Sequence, residues 1–289
     1  MPDGNSADDA SERPELAARL AGSGDLFDRY ARRPWASINY VASHDGFTLA
    51  DVVSFTQRHN EANGETNNDG AVENYSANWG KEGQTSDEKI TEVRGRVKRA
   101  MLATMMFAHG TPMLLAGDEL GRSQGGNNNA YCQDNEISWI DWAMADSAAG
   151  HEMRYFVAKL IAVRQEHTAL RSRHFLHGQR EPAPGIFDIA WFNDDGESIP
   201  EASWKDPEHR LLCLRRATRN ADETVSLLTL FLNPTAEKRL FQLPQPALPA
   251  CVLIDTAQPN AKAFDLKESK IEVDSHSAVL VYANLELSR

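Results

Sequence analysis

Two short apolar runs, INYVA at 38–42 and PMLLA at 112–116, each stop on a burst of polar residues, and a long helical repeat lies between them. In the first run Ile38, Tyr40 and Ala42 alternate with Asn39, Val41 and Ser43, a pattern that predicts a buried strand ending on His44, Asp45 and Gly46. The second run is wholly apolar, as suits a central parallel strand covered on both faces. Between them, Thr85 and Glu88 have the spacing of a capping box. Ile90, Val93, Val97, Ala100, Thr104 and Phe107 then recur at helical spacing until Gly110 closes the helix, with Met101, Met105 and Met106 as core filler. A second amphipathic helix is predicted over 151–167, with Met153, Phe156, Val157, Leu160 and Ile161 on one side. Strand, long loop, helix, strand, long loop, helix is the order of a βα barrel or a doubly wound sheet. In such folds the carboxyl ends of strands face the site, so His44 and Asp45 stand where a ligand would be met.

Past Arg171 the texture changes. IFDIAWF, RLLCLRR, VSLLTLFLN, KRLFQLP, ACVLIDT, KIEVD and AVLVYANL are short strand-like runs parted by turn residues, which predicts an all-β sandwich of about seven strands. The expected division is therefore 1–172 as α/β and 173–289 as the β domain. Ahead of the first strand, 14–20 reads as a helix with Pro14 in its first turn and Gly22 at its exit, behind a polar tail. Residues 58–85 form a long Asn- and Gly-rich loop, a length that in compact domains goes with function or disorder. Within it ETNNDG fails as a calcium loop, because the first ligand would be Glu65 and the twelfth position is Ser76.

A net charge of -12 with no basic stripe argues against nucleic acid and against an anionic membrane surface. A neutral partner such as a sugar fits. Cys132, Cys213 and Cys251 are odd in number and far apart, so neither a disulfide framework nor a zinc site is indicated, and no metal or cofactor is expected. With no signal peptide and no spanning run in these residues, the expected compartment is the cytoplasm.

SHDGF at 43–47, HNEANGE at 59–65 and GTPMLLAGDELGRSQGGNNNAYCQDNEISWIDW at 110–142 together closely resemble bacterial glycogen debranching enzymes of the isoamylase type, in the α-amylase family of glycoside hydrolases. GSGDLF and RRPWASINYVASHDGFTLADVV resemble the same family's segment up to and through its seventh barrel strand. The resemblance runs from about Leu16 to the end and is strongest through Trp142. It implies the C-terminal part of a (β/α)8 TIM barrel followed by a β-sandwich, acting on glycogen or a branched α-glucan by retaining cleavage of α-1,6 branch linkages.

The family uses three acids: a nucleophilic Asp, a general-acid Glu, and a third Asp that grips the sugar. Asp45 matches the third, and His44 the histidine beside it. A carboxylate there stabilises an oxocarbenium-like transition state, and His44 would hold the same sugar in register. Asn127, Asn128, Asn129, Tyr131, Gln133 and Asp134 follow the second strand, where amides and an aromatic face suit sugar hydroxyls and a pyranose. An Asn-rich loop satisfying its own backbone is an equal alternative for them. Asp118 and Glu119 read as structural, Trp139 and Trp142 as loop packing, and His174 and His177 as a solvated pair.

The family's nucleophile lies after its fourth strand in a GFRxD-like motif and its acid after its fifth, and nothing before Ile38 resembles either. The expectation is a C-terminal portion that lacks an N-terminal half and is inactive alone. Its rivals are half of a split enzyme and a non-catalytic glucan-binding or regulatory fragment.

Overall fold

The computed structural model describes residues 12–287, which divide into two compact units. One comprises 12–37, Phe107–Thr111 and 163–287; the other comprises Ile38–Met106 and Pro112–Ala162.

In the first unit, α1 (Arg13–Leu20) has Pro14 in its first turn, and Arg13, Ala17 and Leu20 recur on one buried face. The carbonyl of Leu20, an orphan of the helix end, accepts from the His109 N–H and from Arg216 Nη2. A single helical turn, α2 (Gly24–Phe27), follows. The β strands of this unit are β3 (Ile189–Phe192), β4 (Leu212–Arg219), β5 (Thr224–Asn233), β6 (Arg239–Gln242), β7 (Ala250–Asp255), β8 (Phe264–Asp265), β9 (Lys270–Val273) and β10 (Ser277–Glu286). Six of them form an antiparallel sheet in the order β3-β4-β5-β10-β7-β8, while β6 pairs with β9. Each of the seven strand-like runs contains one strand. The eighth strand, β8, is a two-residue edge without the β-branched run that would announce it.

Register explains the burial. Phe231, Val279 and Val281 share one face with Phe192 and Cys213, and Phe241, Ile271 and Val273 of the β6-β9 pair close over them, the Phe231 and Phe241 rings meeting edge to face at 5.3 Å. On the opposite face Leu212, Leu214 and Arg216 lie across from Leu232, Leu230 and Leu228, and all are buried. With both faces covered, β5 loses the alternation of a half-exposed strand. Burial also costs the Arg216 guanidinium part of its basicity, with Arg164 adding repulsion, and its pKa falls to about 9.

Two strands, β1 (Ile38–Asn39) and β2 (Thr111–Pro112), precede this sheet in the chain. The Thr111 N–H donates to Ser37 O and the Met113 N–H to Asn39 O, an in-step pattern that makes the ladder parallel. Both strands are shorter than the sequence predicts. Ile38 and Tyr40 are each 57% exposed, against the expected buried strand, because no layer of the described residues covers the face from which they project. Met113, Leu114 and Leu115 are half-buried rather than central for the same reason.

The helices of the second part are α3 (Leu49–Val52), α4 (Glu88–Phe107), α5 (Trp142–Ala145) and α6 (Ala148–Glu166). Helix α4 is capped by Asp87, whose carboxylate accepts from the Lys89 and Ile90 N–H groups, not by the predicted Thr85 and Glu88 pair. Its expected stripe is also displaced. Ile90, Val93, Ala100, Thr104 and Met101 are half-buried, while Val97 is buried and burial concentrates at Leu102, Ala103, Met105, Met106 and Phe107 in the second half. Helix α6 starts three residues before His151, where Ser147 Oγ accepts from Gly150 N–H, and its Ile161 is exposed although Met153, Phe156, Val157 and Leu160 are buried as expected. No helix among the described residues is long and apolar enough to cross a membrane.

Candidate functional site

The turn after β1 carries His44 and Asp45 into solvent. Their side chains are 89% and 81% exposed, and His44 Nε2 lies 3.4 Å from Asp45 Oδ2. Ser43 Oγ donates to Asp45 O, and Gly46 N–H donates to Asn128 O at 3.0 Å. Gly46 has φ +95°, a left-handed conformation that a side chain would strain although nothing crowds the position. Beneath the turn Phe47 and Leu49 are buried, and Thr48 caps α3 by accepting from Asp51 N–H. The pair is thus exposed on a base that is packed.

Two acids fasten that base to the loop after β2. Asp118 Oδ1 accepts from Leu49 N–H at 3.0 Å, and the Asp51 carboxylate accepts from Ser123 Oγ and from Gln124 N–H. Burial raises the pKa of both, and pushes Asp118 up to about 6 despite the Leu49 hydrogen bond and Arg122. Between about pH 4 and pH 6 the folded chain therefore keeps a proton on Asp118 that the unfolded chain has released, and this group's contribution to stability falls as pH rises through that window. Asp118→Asn keeps the acceptor for Leu49 and removes the titration. The pH dependence of the unfolding free energy from urea denaturation between pH 4 and pH 7 should then flatten by up to about 3 kcal/mol relative to wild type, about 1.4 kcal/mol per pKa unit; an unchanged slope would place the titration elsewhere.

The Asn-rich residues make a network between the loops 58–85 and 123–135. Asn128 Nδ2 donates to Ala71 O and Asn74 Oδ1, its Oδ1 accepts from Asn60 Nδ2, and its N–H donates to Asn60 Oδ1. Asn127 Nδ2 and Gln133 Nε2 both donate to Asn63 Oδ1, and Asn129 Nδ2 donates to Asp69 Oδ2. Asn127, Asn128 and Gln133 are buried, whereas Tyr131 and Asp134 face solvent. Trp139 and Trp142 are mostly exposed, which corrects their reading as packing residues, and Trp139 Nε1 donates to Asp134 Oδ1.

The residues that fix these loops are largely ones that sequence reasoning passed over. Glu82 accepts from the Thr56 and Gln57 N–H groups, from Thr56 Oγ1 and from Asn78 Nδ2; burial alone would raise its pKa, but these donors hold it at about 2. Arg94 donates to the carbonyls of Asn78, Lys81 and Gly83. Lone charged residues in a loop or on a helix give no local signal of such distant partners. Gly126 leaves one, since a Cβ there would lie 2.7 Å from the Phe55 ring.

No family model matches the chain. A protein described as a glycogen operon protein GlgX homolog from Mycobacterium tuberculosis is 47% identical over 191 residues, 66% of this chain and 26% of that protein. A glycogen debranching enzyme from Pectobacterium carotovorum is 46% identical over 199 residues, 69% of this chain and 29% of that enzyme. Among solved structures, a type I pullulanase from Bacillus subtilis complexed with maltose matches 95% of this chain and 32% of its own at TM-score 0.62 and 20% identity. A pullulanase from Bacillus acidopullulyticus matches 97% and 27% at TM-score 0.61 and 16% identity. The structural likeness establishes a shared mixed α/β fold with a β-sheet domain. By sequence, the chain is a homologue of bacterial glycogen debranching enzymes and spans only about a quarter of the length of these relatives.

Proposed function

We propose that this chain is the portion of a debranching glycoside hydrolase that supplies the transition-state-stabilising carboxylate, Asp45, with His44 as its companion, to a site that cleaves α-1,6 branches of glycogen-like glucans. The observation that carries the reading is the exposed His44 and Asp45 pair on a turn anchored through Gly46, Leu49 and Asp51. A charge that must act on a transition state has to be placed in advance, so that no reorganisation is needed as the sugar ring gains positive charge. Tyr131 and Asp134 are the outward-facing members of the Asn-rich loop and would contact glucan, while Asn127, Asn128, Asn129 and Gln133 shape the loop that presents them. The strands β1 and β2 would then be two of the eight of a barrel, and the nucleophile and general acid would come from outside these 289 residues, within a longer enzyme or on a second chain.

Purified alone, the chain should release no linear maltooligosaccharide from a limit dextrin, because retaining hydrolysis needs both a covalent and a proton-transferring carboxylate. Release above the enzyme-free blank would overturn the division of labour. The positive test is a chimera in which the matching segment of the Pectobacterium carotovorum enzyme is replaced by this chain. It should debranch; a folded chimera without activity would refute the proposed function.

A further inference from the structure

A concavity lies in the β-rich unit, lined by residues that the proposed glucan site does not use. It is a basin of about 130 Å³ lined by Asp28, Arg32, Arg33, Pro34, Arg173, His174, Phe175, His177 and Arg180. Pro34 and Phe175 are buried, and the four arginines are exposed at the rim. Among the described residues none of these four guanidinium groups makes a hydrogen bond or an ion pair. The one acid present, Asp28, is taken up by His177, whose Nε2 lies 2.7 Å from Asp28 Oδ2. In a chain with 42 acidic and 30 basic residues, four free arginines around one small basin is a local reversal of charge. The chain enters the basin through Tyr30 and Ala31, two consecutive non-glycine residues at φ +55° and +60°. Such strained backbone persists only where the surrounding structure holds it.

We propose that this basin binds the phosphoryl group of a small phosphate or phosphate monoester. A basin of this size does not enclose a sugar chain, since pockets that bury drug-sized ligands run to roughly 300–1,000 Å³, and it suits one charged end group of a larger molecule. It favours phosphate over carboxylate. A carboxylate offers two oxygens and one charge, which a single arginine fork satisfies, whereas a phosphoryl group offers three oxygens and nearly two charges to several forks at once. The absence of lysine from the lining fits the same chemistry, since arginine is the residue suited to bidentate recognition of this group. Occupancy would link a charged small molecule to a unit separate from the one that carries Asp45.

The test is to titrate the 289-residue chain with inorganic phosphate, glucose 6-phosphate and adenosine monophosphate, following heat of binding and thermal midpoint, with potassium chloride at equal ionic strength and with glutamate as controls. Saturable binding of at least one phosphate species is expected, with a midpoint that rises with ligand concentration as mass action requires. Tighter binding of an ester identifies the ester as the ligand, and equal affinities identify phosphate itself; either supports the site. Arg33→Gln combined with Arg173→Gln should weaken binding at least tenfold, and Arg180→Gln alone by less, with midpoints in chloride close to wild type because these side chains are exposed. A midpoint shift that chloride reproduces, saturation by glutamate alone, or undiminished affinity in the double variant would overturn the proposal.

Discussion

Asp45→Asn, placed in the debranching chimera, should lower turnover on a branched dextrin by roughly a hundred- to thousandfold while changing the Michaelis constant little. Removing one preorganised charge from a transition state typically costs about 3 to 4 kcal/mol. The amide keeps the size of the side chain and one acceptor, so ground-state contacts with sugar hydroxyls survive in part, whereas the negative charge facing the developing oxocarbenium centre is gone. His44→Ala should fall between this variant and wild type, since it removes one hydrogen-bonding partner and leaves the carboxylate in place. If Asp45→Asn keeps its turnover and only raises the Michaelis constant, Asp45 is a binding residue and not a stabiliser.

The second large effect is expected at Asn128. Its side chain makes three hydrogen bonds inside the protein, to Asn60, Ala71 and Asn74, and is buried. Asn128→Ala would leave Asn60 Nδ2 with only its bond to Asp69 O and would leave Ala71 O and Asn74 Oδ1 without this donor. With each net hydrogen bond worth about 1 kcal/mol and each stranded buried group costing about 1 to 3 kcal/mol, a loss of roughly 3 to 5 kcal/mol follows. Urea denaturation gives the number, and hydrogen exchange of 58–75 gives its location. A loss under about 1 kcal/mol would mean that water replaces the amide without penalty.

What the sequence made legible, and what it did not, follows from the range of the interactions. The seven β runs are readable because strand-forming runs and the turn residues that part them are local, and α6 keeps four of its five predicted core positions because amphipathicity is local too. The burial of Ile38 and Tyr40 was misread, because alternation reports a strand's two faces but not whether anything lies against them. At the site, His44 and Asp45 were found through resemblance to a family; a dipeptide at a strand end carries little alone. The amides at 127–129 could not be assigned from sequence to ligand or to loop. Their partners, Asn60, Asn63, Asp69 and Asn74, lie more than fifty residues away.

The position of β10 bears on how the chain is made. This strand runs between β5 and β7, with ten residues paired to β5 and five to β7, so the middle of the sheet is filled by a strand synthesised after both of its neighbours. Until Ser277 and its followers leave the ribosome, β5 and β7 each present an open edge of unpaired N–H and C=O groups. Vectorial synthesis therefore leaves the sheet in two unjoined parts, β3-β4-β5 and β7-β8, until β10 emerges. A nascent chain stalled before Ser277 should be protease-sensitive and prone to pair with a neighbour on the same polysome, and release of about ten more residues should close the sheet.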